Sequence, residues 1–181
     1  KEGKIKKTLA IVILIVTFLI LYFLQANFFS WFTIAGIKPN LFIIFTLFIS
    51  LYGGYKIGIP FGILSGLFLD IIIGKNLGQT ALMLSIVGVI GAYLEKNFSK
   101  ESKMTILLMV IGTTIIYETG LYILQIIKLS INVAISQFIY TLLIEVIYNI
   151  ILTIILYPII QKYGYKLEHT FKEQKILTRY F

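Results

Sequence analysis

Three carboxylates interrupt otherwise apolar stretches of this 181-residue chain: Asp70, Glu118 and Glu145. An acid in such surroundings is costly unless it is paired or wetted, so each marks a candidate functional position. Two of them could divide the work of a general acid and a general base. They could equally pass ions or protons along a path through a membrane. A third reading is structural, with the acids accepting hydrogen bonds from Tyr117, Tyr122, Gln125, Tyr148 or Asn149 and so fixing helix register. Gln125, Gln137, Asn149 and Thr153 belong to the same network or meet a partner helix. Composition narrows the choice. The chain has no cysteine and one histidine, His169, in its polar end, which removes thiol nucleophiles, thiolate metal sites and histidine triads. With no nucleophile beside the acids, the chain reads as a non-enzyme without catalytic, cofactor-binding or metal-binding residues.

Asp70 also ends a pattern. Gly58, Gly62, Gly66 and Asp70 recur every four residues, and on a helix each such step advances about 40° beyond a full turn. The result is one slowly drifting stripe without side chains. Such a stripe lets a second helix approach backbone to backbone, which is how helices associate where no water drives burial. Gly58, Gly62 and Gly66 are therefore expected to be helix-packing positions. Asp70, Glu118 and Glu145 are expected to be buried polar groups or partner contacts, and Asp70 has the further option of capping a helix end.

The elements that carry these residues follow from hydropathy. The chain is 59% hydrophobic and 13% charged, with a mean hydropathy of +0.95, too few charges to cover a soluble domain of this size. It is predicted to be an all-α polytopic membrane protein, one integral membrane domain built as a bundle of six transmembrane helices. The spans fall near 8–29, 39–53, 57–74, 79–94, 104–127 and 134–160, and 161–181 forms a basic tail. The first span is expected to be retained, because Gln25, Asn27, Phe28 and Phe29 follow it instead of a small-residue cleavage site. Trp31 with Phe28, Phe29 and Phe32 suits a membrane-surface segment. Pro39 and Pro60 are expected in the first turns of their helices. The second and third spans are short for a core of ~30 Å. They are either full crossings or a re-entrant hairpin covered by protein.

The formal net charge is +8. Its basic residues cluster at the ends of apolar spans, which points to lipid and topology and not to nucleic acid. With six spans, only Lys38, Lys75 and Lys128 of the 16 lysines and arginines lie on one side. This asymmetry predicts that both termini are cytoplasmic.

The stretch from Pro39 to Tyr93 resembles the centre of the bacterial rod shape-determining MreD family. The resemblance is carried by Pro39, by the glycine run Gly58, Gly62, Gly66 with Leu67 and Asp70, and by Leu77-Gly78. Members often have an acid after the proline, where this chain has Asn40. The resemblance implies a non-enzymatic scaffold in the bacterial cytoplasmic membrane, part of the cell-elongation machinery that makes peptidoglycan and determines rod shape. Its implied partners are membrane lipid, MreC-like and MreB-like proteins, and a RodA-type polymerase with a class B penicillin-binding protein. The family is also similar in helical architecture to the substrate-binding subunits of energy-coupling-factor transporters. The alternative is therefore a substrate-binding membrane subunit of such a vitamin transporter. Those subunits tend to carry small-residue patterns on the first span, whereas here that span offers only Ala10 and Thr17 and the stripe lies on the third.

Overall fold

The computed structural model describes residues 2–73, 78–98, 100, 102–129 and 134–171. Six helices account for nearly all of them. Helix α1 (Glu2–Phe23) runs on through a π-helical turn, Leu24–Phe28, and a last short piece, Phe29–Trp31. It is followed by α2 (Leu41–Gly53), α3 (Tyr55–Ile73), α4 (Gln79–Asn97), α5 (Lys103–Leu129) and α6 (Ile135–Phe171). Between α1 and α2 the chain turns through Ala35 and Gly36, both at positive φ, under a bridge from Ile34 to Ile37.

Four helices, α1, α3, α5 and α6, are long and apolar enough to cross a membrane. Helix α2 is more apolar than any of them but has 13 residues, about 20 Å of helix. Helix α4 has 19 residues, and Gln79, Glu95, Lys96 and Asn97 at its ends dilute its apolar middle.

A helix that is apolar all round belongs in a core, and α2 is that core. Every residue from Leu41 to Gly53 except Phe45 is buried, against α3, α4, α5 and α6. Only Gly54 separates α2 from α3. Its φ of 72° is the left-handed region that suits glycine, and its N–H bonds the Ser50 carbonyl at 2.9 Å.

Helices α3 and α4 form the most extensive pairing in the bundle, because their glycines remove the side chains between them. A β-carbon on Gly66 would lie 2.5 Å from the Ala81 nitrogen. One on Gly62 would press on the Leu84 carbonyl group, 2.8 Å from its carbon. Gly88 of α4 returns the fit, sitting over the Gly58 carbonyl. Ser50 of α2 fills the remaining junction: it lies against Gly58 and Gly91, and its hydroxyl donates to the Gly88 carbonyl. Three helices thus meet around one small polar side chain.

Two proline positions differ from the sequence-based expectation. Pro39 precedes α2 instead of starting it, and Asn40 takes the N-cap. Pro60 lies inside α3, beyond its first turn, on the exposed side facing α1. Helix α6 continues without a break through 160 to Phe171. The start of the expected tail is packed: Gly164 seats the Tyr52 ring, Tyr165 meets that ring edge-on, and Glu168 pairs with Lys100. Of the Gly74–Gln79 loop, 74–77 fall outside the described residues, as do 130–133 between α5 and α6 and the tail beyond 171.

Helix α1 is the exception to close packing. Phe18, Leu21 and Tyr22 touch the bundle, Phe18 against Phe42 and Phe68. Apolar grooves of about 300 and 470 Å³ run along its two sides.

The α3–α4 geometry sets a graded expectation. Gly62→Leu and Gly66→Leu drive a side chain into backbone and should destabilise by about 3 kcal/mol or more, at or beyond the upper end for overpacking. Ile63→Leu, at a 39% exposed position, should have little effect. Gly112, whose added β-carbon would meet nothing within 4 Å, should gain up to about 1 kcal/mol as alanine from helix propensity. Thermal or denaturant unfolding in detergent reads all four, and equal tolerance of the two leucine variants and Ile63→Leu would refute the close-packing account.

Candidate functional site

Burial of a helix start creates a chemical problem, since its first N–H groups have no partner within the helix. In this bundle two such starts are enclosed, and the polar residues gather around them.

The first is the start of α4. Its N-cap is Gly78, at φ 90°, and supplies no side-chain oxygen. Asp70, on the glycine stripe in the last turn of α3, supplies it across the connection. Its Oδ2 accepts the N–H of Gly78 at 2.9 Å and of Ala81 at 3.1 Å, and its Oδ1 accepts that of Thr80 at 3.2 Å. Asp70 is 3% exposed, so the charge is satisfied by these donors and by the positive end of the helix dipole. The stripe brings α3 against α4 at Gly66 and Ala81, and Asp70 stands one turn further along. Close approach and capping are one geometric event.

The second is the start of α2. Asn40 Oδ1 accepts the Ile43 N–H at 3.3 Å, the ordinary N-cap bond. The Leu41 N–H goes to Gln25 Oε1 at 3.1 Å, and Gln25 Nε2 donates to the Pro39 carbonyl at 2.8 Å. The Asn40 N–H goes to Asn149 Oδ1 at 2.8 Å. Asn149, fully buried on α6, also donates from Nδ2 to Thr114 on α5 at 3.1 Å. One amide therefore ties α6 to α5 and to the entry of α2. Tyr148 beside it donates to the Phe32 carbonyl at 2.5 Å.

Glu118 and Glu145 form the third cluster. They lie on neighbouring faces of α5 and α6 with their carboxyl groups in contact, and the Asn40 side chain reaches Glu145. Glu145 is buried and Glu118 partly so.

Gly62, Gly66 and Asp70 thus share the α3–α4 interface, Gly58 packs on Ser50 of α2, and Glu118 and Glu145 meet each other on a separate pair of helices. Tyr148 and Asn149 serve backbone groups, and Tyr122 stacks on Phe138 at 4.3 Å. Sequence reasoning missed Gln25, Ser50 and Thr114. Asn40 had a readable signal, an N-cap residue directly before an apolar run, and an acid at that position would serve the same donors. Gln25 and Ser50 had none, because their partners lie in other helices.

A family model described as rod shape-determining protein MreD matches residues 5–167 of the chain. No curated protein and no solved structure matches it.

Asp70→Ala leaves three N–H groups without an acceptor and should cost about 3 kcal/mol or more, since each unsatisfied buried donor is worth about 1–3 kcal/mol. Asp70→Asn keeps one acceptor oxygen where the aspartate uses two, so its loss should fall between alanine and wild type. Unfolding of the three proteins in detergent measures the order. Wild-type stability of the alanine variant would show that the cap contributes nothing.

Proposed function

Because the chain belongs to the rod shape-determining protein MreD family, we propose that it is a non-enzymatic membrane scaffold of the bacterial cell-elongation machinery, working with MreC-like and MreB-like proteins and the RodA-type peptidoglycan synthase pair. The family match across residues 5–167 carries the reading. The geometry supports it in one respect. Both Asp70 oxygens are engaged by backbone N–H groups, so the acid serves architecture and acts on a partner only through the α3–α4 unit it holds in register. Helix α1, with apolar grooves on both sides, leaves lateral surface within the bilayer for lipid or a partner's membrane anchor.

In this reading all six helices belong to the membrane domain, with α2 and α4 covered by their neighbours, and both termini are cytoplasmic. That orientation puts the Asp70-capped turn and the α5–α6 connection on the outer side. The bundle is in this reading similar in helical architecture to energy-coupling-factor substrate-binding subunits, and the rival uptake function that this likeness raises is disfavoured by the lack of a small-residue stripe on α1.

Deletion of the gene should round the cells, and the wild-type chain should restore rods and co-purify with the MreC-like partner. Gly66→Leu should do neither. Reporters fused at the tail and in the α5–α6 connection should read opposite sides of the membrane. Saturable nanomolar binding of a vitamin-like ligand by the purified chain, with unchanged cell shape on deletion, would overturn the scaffold reading in favour of uptake.

A further inference from the structure

The space between α1 and α3 has a definite shape. A groove of about 470 Å³ has Ile11, Leu14 and Ile15 on its α1 wall and Phe61 and Leu64 on its α3 wall. Both helices are long and apolar enough to cross a membrane. Within the hydrocarbon region, an apolar space left unfilled forfeits dispersion contacts along its whole lining.

The two ends of the groove differ. One opens at Lys56, which lines it and is exposed at the first turn of α3. Lys7, also exposed, stands one turn before Ile11, and Lys7, Ile11, Leu14 and Phe18 share one helical face by their spacing. Tyr55, exposed beside Lys56 with the ammonium 5.9 Å from its ring centre, is a residue type of the headgroup level. The other end is shut. Phe18 meets the Phe68 ring edge-on at 5.0 Å, and Tyr22 meets the same ring at 5.5 Å.

Length and charge together select the occupant. From Lys56 to Phe68 the α3 wall runs about 18 Å, close to one leaflet, about half of a 30 Å hydrocarbon core. A partner's transmembrane helix needs the full thickness and would meet the Phe18–Phe68 contact partway. An acyl chain ends there. The lysines at the open end call for an anion at headgroup depth, and the positive end of the α3 dipole adds to them. The groove on the other side of α1 has no lysine among its lining residues.

We propose that the α1–α3 groove seats one acyl chain of an anionic phospholipid, with its phosphate held at Lys56 and Lys7. The lipid fills the gap and braces α1 against α3, so the packing of α1 depends on anionic lipid. From the scaffold reading this takes only that α1 and α3 lie side by side in the bilayer. On the orientation proposed there, the lipid belongs to the cytoplasmic leaflet, the one with a negative surface potential.

The test uses the full chain in phosphatidylcholine nanodiscs doped with a phosphatidylglycerol that carries a diazirine on its acyl chain. After irradiation, peptide mass should place the label on residues 11–18 and 61–68, well above a phosphatidylcholine probe with the same chain. One lysine at an anionic surface is worth about a fivefold preference, so Lys56→Gln should cut the difference by about that factor. Leu64→Trp fills the groove and should abolish its labelling, whereas Leu143→Trp, at a similarly exposed position on α6, should not. All three variants should melt near wild type in phosphatidylcholine alone. Equal labelling by the two probes, or label spread evenly over α5 and α6, would mean ordinary lipid contact and overturn the proposal. A groove closed to the probe in native membranes but open after purification would assign it to a partner's anchor, and overturn it too. A chain that holds phosphatidylglycerol here, but whose deletion leaves cell shape unchanged, would sink the scaffold reading alone.

Discussion

The structure depends on satisfying helix-start N–H groups where water is excluded. A full-length transmembrane helix leaves its unpaired ends near the headgroups, where solvent serves them. A 13-residue helix such as α2, enclosed on every side, has no such recourse, and each buried donor must find an acceptor within the protein. The chain answers with side chains brought from elsewhere: Gln25 from the end of α1, Asn149 from α6, Asp70 from α3. Each cap is also a tie between helices, so the groups that satisfy the backbone are the groups that fix the topology.

That coupling explains why the glycine stripe and the aspartate occur together. Gly62 and Gly66 let α3 lie on α4, and Gly58 lets it lie on Ser50 of α2, at distances no β-carbon would allow, and only with α4 that close does a side chain one turn beyond Gly66 reach the first N–H groups of α4. A larger residue at Gly66 would widen the gap and uncap the helix at once. Ser50 plays the corresponding part where α2 joins, with its hydroxyl placed among Gly58, Gly88 and Gly91.

The three acids of the apolar helices therefore differ in kind. Asp70 is saturated by backbone donors, and removing it exposes a helix end. Glu118 and Glu145 cap no helix: they meet each other between α5 and α6, Glu118 lining a cleft there and Glu145 buried with one oxygen unpartnered. In sequence the three look alike, each a carboxylate in an apolar run. Their environments separate the acid that caps a helix from the two that meet each other between α5 and α6.

What the sequence by itself determined is the set of local quantities. Apolar composition and runs of hydrophobic residues require a helical membrane protein; the four-residue spacing of Gly58, Gly62, Gly66 and Asp70 places them on one face; the Gly53-Gly54 pair forces a turn. The motifs around them were also enough to point to the family. The structure places helices over all six predicted segments, although α6 runs past 160 because Gly164 and Tyr165 keep packing on Tyr52. Only the tertiary structure decided which helix is central and where each polar group is spent. Gln25 meets Pro39 and Leu41, Asn149 meets Asn40 across more than a hundred residues, and Glu118 meets Glu145. The physical reason is that a hydrogen-bond partner in another helix is fixed by the distance and rotation between two packed surfaces. Neither quantity is encoded in the spacing along one helix.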